Sequence, residues 1–162
     1  MADSRETLTG QAHLRFRRAA RPDVPAIVAL LSDDVLGAGR ERPEEDGLSA
    51  YLAAFDDISA DPNQFLCVAM QGEQVVATLQ LTFIPGMSHA GAKRGQIESV
   101  RVSSAHRGQG IGESLITWAI DECRSRGCSI VQLTTDRQRP DALRFYERLG
   151  FVGSHVGLKL RL

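Results

Sequence analysis

The chain has 162 residues, 43% hydrophobic and 24% charged, enough for one globular domain over residues 1–162 with a sizeable core. Its net charge of -1 excludes a global positive field, and with it a general affinity for nucleic acid or an anionic membrane. Neither a spanning apolar run of roughly 20 residues nor the apolar segment of a signal peptide is present.

In chain order, residues 1–12 are polar and expected to be loose. His13–Arg18 alternates as a first strand, and Arg21-Pro22-Asp23 opens a helix to about residue 32. Gly37–Gly47 is charged and glycine-bearing, a loop, and Leu48, Tyr51, Leu52 and Phe55 give a second helix over 48–58. Asp61-Pro62-Asn63 is a turn, after which 64–70 and 74–84 read as a hairpin. Ile84–Gly95, with Pro85 and three glycines, reads as a loop long enough to line a site.

Residues 97–102 set Ile97, Val100 and Val102 against Glu98, Ser99 and Arg101, as on a half-buried strand. From Ile111 the period changes: Ile111, Leu115, Ala119 and Cys123 recur every four residues, with Trp118 beside them. Gly127 stops that helix. A strand follows over 129–135, then a helix from Pro140 to Leu149 capped by Gly150, and closing strands at 151–152 and 156–162. The expected fold class is α+β, one mixed sheet with helices. Cys67, Cys123 and Cys128 have no C-x-x-C spacing, which suits a reducing, cytoplasmic setting; Cys67 and Cys123 read as core fillers. The four histidines lack metal-ligand spacing, so no metal site is expected, and His106 reads as solvated.

Between strand and helix lies Arg107-Gly108-Gln109-Gly110-Ile111-Gly112. Glycines allow a sharp turn and close approach, and a helix start offers N–H groups to an anion, typically a phosphate. The Gly-Lys-Ser/Thr of a Walker loop is missing, and G-x-G-x-G spacing fits a dinucleotide fingerprint poorly. Arg107, Gly110 and Gly112 after Glu-Ser-Val-Arg-Val resemble the acyl-CoA loop of the GNAT N-acetyltransferase superfamily. A second block, Ala142-Leu-Arg-Phe-Tyr-Glu-Arg-Leu-Gly-Phe151, resembles that family's A-x-x-F-Y-E-x-L-G-F segment. The resemblance is sharpest over 96–152.

This resemblance implies a mixed, mostly antiparallel sheet of about six to seven strands flanked by about four helices. It also implies that the central strands splay, here between Val100–Val102 and Leu133–Thr135. Acetyl-CoA is the implied acyl donor, its pyrophosphate on Arg107, Gly108, Gln109, Gly110, Ile111 and Gly112. Its pantetheine would pair with Val100, Arg101 and Val102, one of whose N–H groups would meet the oxyanion. Tyr146 would be the general acid, and Glu98 either a general base raised by burial or a strand carboxylate paired to Arg94 or Arg101. The family's cofactor-contacting Asn is Arg139 here; Arg137 or Arg139 can instead reach a CoA phosphate.

The resemblance further places the amine acceptor against Val35–Tyr51, with Arg40, Glu41, Arg42, Glu44, Glu45 and Asp46, and against Ile84–Gly95. The second segment carries Met87, Ser88, His89, Lys93 and Arg94. The function implied is N-acetylation of a primary amine on a small molecule. Alternatives are a protein or peptide acetyltransferase, or a non-catalytic acyl-CoA-binding module. A homodimer through the closing strands is the family-level expectation.

Overall fold

The structure, a computed structural model, describes residues 5–6, 13–33, 35–41 and 45–162. The sheet order is β1 (Arg5–Glu6), β2 (Leu14–Arg18), β3 (Gln64–Gln71), β4 (Gln74–Ile84), β5 (Lys93–Val102) and β6 (Cys128–Leu133). Neighbours are antiparallel except β5 and β6, which run parallel because a helix crosses between them. Around the sheet lie α1 (Val24–Ser32), the single turn α2 (Val35–Ala38), α3 (Glu45–Ala60), α4 (Ile111–Ser125) and α5 (Pro140–Arg148). No helix among the described residues is long and apolar enough to cross a membrane.

Five of the strands are full ones; β1 is a two-residue ladder on β2 at Arg5↔Phe16 and Glu6↔Arg15. The expected six to seven strands therefore come down to five, because 151–162 form no closing strands. Phe151 N–H bonds Tyr146 O at 3.1 Å, ending the helix against the core, and the chain then runs over the surface. Val156, Leu158 and Leu160 are all exposed, so their alternation finds no sheet edge to complete. β6 starts one residue early and stops two short of the expected Thr135. Residues 1–4, 7–12 and 42–44 lie outside the described residues.

Two apolar layers sandwich the sheet. On one face the Ile111, Leu115, Ala119 and Cys123 stripe of α4, joined by Ile116, packs on Phe16, Leu79, Leu81 and Ile97. Trp118 stacks on Phe16 at 5.7 Å between ring centroids and tilts against Phe65 at 5.4 Å. Gly95 lets β5 lie close to α4, since a Cβ there would collide with Cys123 Sγ. On the other face Val24, Ile27 and Val28 of α1 and Phe55 of α3 cover Val68 and Met70.

The turn from β2 into α1 is fixed by one ion pair. Arg17 donates to Asp23 through Nη1 at 2.6 Å and Nη2 at 3.0 Å, and Ala20 N–H donates to the same carboxylate at 2.7 Å. The Arg17 hydrogen bond holds the Asp23 carboxyl below the usual carboxylate range, against a smaller opposing effect of burial. Because the folded value is lowered, this stabilisation is present above the unfolded pKa of about 4 and is lost as pH falls through the folded value. Asp23→Asn should therefore cost about 1–2 kcal/mol at pH 7, discounted for the part-exposed arginine, with the deficit shrinking in acid. Chemical denaturation at pH 7 and pH 2.5 checks this; an equal deficit at both would assign the effect to something other than the ionised pair.

Candidate active site

The apolar pattern of β5 slips phase, and the structure absorbs the slip with a bulge. Ile97 is buried on the α4 face, and two polar residues follow before Val100 and Val102 return to that face. Thr78 pairs with Arg101 and Gln80 with Glu98, so Leu79 alone opposes both Ser99 and Val100. Ser99 takes φ 55°, a left-handed conformation that is costly for a residue with a Cβ. On the other side, the parallel ladder with β6 ends at Ile97↔Leu133. No β5–β6 pairing continues beyond that rung, where β6 itself ends.

The glycine loop links the end of β5 to the start of α4. Gly108 has φ 75° and Gly110 φ 77°, and Gly110 caps α4, its carbonyl accepting Ser114 N–H at 3.0 Å. Arg107 stays exposed but is tied down: its Nε donates to Val102 O at 3.3 Å and its Nη2 to Asp33 O at 2.6 Å. Asp33, at the end of α1, also accepts Ser104 N–H at 2.5 Å through Oδ2. Thus Asp33 ties the approach to the loop onto a helix of the opposite layer. The sequence reading missed it, because a carboxylate after an apolar helix looks like any polar stop. His106 is partly shielded rather than solvated, and its Nδ1 is buried without a hydrogen-bond partner.

α5 closes the far side. Phe145 approaches the start of α4, where a Cβ on Gly112 would lie 3.5 Å from its ring. Tyr146 packs edge-on to Phe145 at 5.2 Å and Phe151 at 5.9 Å. Burial pushes the Tyr146 phenol up, while the nearby Arg101 and Arg139 guanidiniums pull it partly back. Arg101 donates to Val100 O at 2.8 Å, and its charge also reaches Glu41, whose carboxylate accepts Tyr51 Oη–H at 2.9 Å.

Glu98 is exposed rather than buried. It stands directly opposite Gln80, so the two side chains share one sheet face. That face carries a cavity of about 160 Å³ between α1, α3 and the sheet, bordered by Gln80 and Ser99. Of the segments expected to hold the acceptor, 35–51 contributes Tyr51 to this cavity. The 84–95 segment does not reach it. Lys93 and Arg94 belong to β5, with Arg94 paired to Ile84 at the end remote from the bulge, and 88–91 form a left-handed turn at His89 and Ala90. Arg42 and Glu44 lie outside the described residues.

Comparison with known proteins places this arrangement. A model described as the acetyltransferase (GNAT) family matches residues 27–151. The chain is 32% identical over 140 residues to the aminoalkylphosphonate N-acetyltransferase of Salmonella typhimurium, covering 86% of each. It is 29% identical over 168 residues to the streptothricin acetyltransferase of Streptomyces lavendulae, covering 90% of this chain and 85% of that one. A crystal structure of a transcriptional regulator from Bacillus halodurans superposes with a TM-score of 0.90 at 51% identity, covering 93% of this chain and all of that one.

The loop geometry sets an expectation for ligand binding. Asp33→Ala removes the acceptor for Ser104 N–H and should weaken CoA about 5- to 10-fold in calorimetry. Asp33→Asn keeps an acceptor oxygen and should lose less than half of that factor. Gly110→Val, forced to φ 77°, should abolish CoA binding. Equal affinity in Asp33→Ala and the wild type would show that the loop holds its shape without Asp33.

Proposed function

We propose, from the premise that this chain belongs to the acetyltransferase (GNAT) family and is an acyltransferase, that it moves an acetyl group from acetyl-CoA to the primary amine of a small molecule by direct transfer. The observation that supports this reading is that the β5–β6 ladder ends at Ile97↔Leu133 just before the β5 bulge, on the strand that leads to the glycine loop, while Val100, Val102 and Tyr146 pack against one core cluster. The residues suit acetyl-CoA. Left-handed Gly108 and Gly110 leave the start of α4 open to a pyrophosphate, and the β5–β6 ladder stops short of Val100, Arg101 and Val102, where pantetheine amides can pair. Gln109, Ile111 and Gly112 complete the loop with Arg107, while Arg139 lies near Tyr146 and adds positive charge on the α5 side.

Acetyl-CoA supplies an activated acetyl carbonyl; the chain supplies orientation and proton movement. In our reading Glu98 takes a proton from the incoming ammonium, directly or through water. The amine nitrogen bonds to the carbonyl carbon while a backbone N–H of Val100–Val102 takes the developing oxyanion. The carbon–sulfur bond then breaks, Tyr146 Oη gives its proton to the departing sulfur, and the nitrogen sheds its second proton, which restores the phenol through solvent while Glu98 releases the first. The products are the N-acetylated amine and CoA thiol. A phenol raised by burial stays protonated at neutral pH, as a donor must. No enzyme nucleophile is needed. A net charge of -1 gives no overall field toward DNA, so the enzyme reading is better supported than a regulator's role.

Tyr146→Phe should lower kcat and kcat/KM together by about 10²-fold, since the lost proton donor acts in the transition state. Acetyl-CoA should still raise the melting temperature of the variant as it does for the wild type. CoA thiol release measured on both proteins with an amine panel checks this. Undiminished turnover in Tyr146→Phe would mean that the thiolate takes its proton from another source.

A further inference from the structure

The chemistry of the cavity beside Glu98 points to the class of acceptor. Its walls come from Ile27 and Leu31 on α1 and Ile58 on α3, with the exposed Ala54 of α3 at the rim. Its floor is β3 and β4: Leu66, and Thr78, whose hydroxyl is already committed to Cys67 O at 2.7 Å. Gln80 and Ser99 border the β5 bulge, Glu98 stands across from Gln80, and the one other hydroxyl-bearing wall residue, Tyr51, is bonded to Glu41. Among the described residues no Lys, Arg, Asp or Glu lines the cavity.

The arrangement is therefore directional. A group entering at the bulge meets hydrogen-bonding partners, while the part behind it meets carbon. A phosphonate or a second ammonium seated among the α1 and α3 side chains would lose hydration with no charged lining residue to pair with, Glu41 being held by the Tyr51 hydroxyl and acted on by Arg101, which is unfavourable. An aryl or branched alkyl group would instead exchange water for apolar walls. The cavity is half open to solvent, and its volume of about 160 Å³ has room for a group of about benzene's size, which needs roughly 150 Å³ when enclosed. We infer that the acceptor is a primary amine whose nitrogen is presented at the Ser99–Val100 bulge and whose apolar substituent, an aryl ring or branched chain of about six carbons, fills the cavity between α1 and α3. This rests on the acyl-transfer reading above and narrows it. It also sets the chain apart from the substrates in its relatives' names: an aminoalkylphosphonate carries a charge that this cavity does not match.

The test compares kcat/KM for 2-phenylethylamine, isopentylamine, methylamine, putrescine and 2-aminoethylphosphonate at saturating acetyl-CoA. The first two should exceed the others by about 10²-fold. Ala54→Phe, at an exposed position on the cavity rim, puts a ring into the space without disturbing the buried core. It should reduce the advantage of 2-phenylethylamine over methylamine at least about tenfold, with a thermal melt confirming that the variant folds. In the wild type, 2-phenylethylamine should also raise the melting temperature where 2-aminoethylphosphonate does not, a binding readout independent of turnover. Turnover that favours the phosphonate or diamine, or is indifferent to the apolar group, would overturn the inference and leave acyl transfer standing. Silence with every amine, and no stabilisation by 2-phenylethylamine, would overturn both.

Discussion

One extra residue in β5 sets the geometry of everything around it. Ile97 and the pair Val100 and Val102 all pack on the α4 layer, yet they are separated by an odd number of positions. A strand of strict period two cannot satisfy both. Keeping Ile97 inside without the bulge would drive Ser99 and Arg101 into the core, which would bury a guanidinium among Leu115, Ile116 and Phe145. The bulge avoids that by letting Ser99 and Val100 share one partner, Leu79, and the local cost appears as the left-handed Ser99. The bulge begins where the ladder with β6 stops, at Ile97↔Leu133, so the core's demand on β5 falls at the end of its parallel pairing.

A second constraint ties the halves of the molecule together at this point. The N-terminal layer of α1 and α3 and the C-terminal layer of α4 and α5 lie on opposite sheet faces and could vary independently. Asp33 links them at the end of the sheet, with its side chain on Ser104 N–H and its carbonyl under Arg107. Placing a carboxylate close to a loop that would receive phosphates has an electrostatic cost. That cost is offset because Arg107 is held in place by Asp33 O and Val102 O, so the positive charge is fixed before a ligand arrives.

Much of the fold was legible because its elements are amphipathic in the ordinary way. The α4 stripe, the hairpin of β3 and β4, and the helix capped by Gly150 all follow from periodicity and stop signals. The closing strands failed for a reason periodicity does not carry: alternation at 156–162 states that a strand is acceptable, not that an edge is within reach. The loop and Tyr146 were singled out by motif, whereas the bulge had a signal that went unread. Two adjacent polar residues, Glu98 and Ser99, inside an alternating strand mark a phase slip. Asp33 left no such mark, since its partners lie 71 and 74 residues away.

The acceptor region shows a deeper limit of the same kind. Charged residues at 40–46 and 87–94 draw the eye as a substrate surface, and apolar residues of α1 and α3 read as core. Both inferences use composition alone. Ile27, Leu31, Phe55 and Ile58 are apolar whether they touch another side chain or face a groove that an apolar group can fill, because both settings reward apolar surface. What separates wall from core is volume balance: Ala54 and Ser99 are too small to fill the gap their neighbours leave. A native core at ordinary packing density closes such a gap. One left open beside a strained bulge has forgone stabilising contacts, and the binding of an apolar group would restore them. The missing volume therefore bears on specificity more directly than the conspicuous charges do.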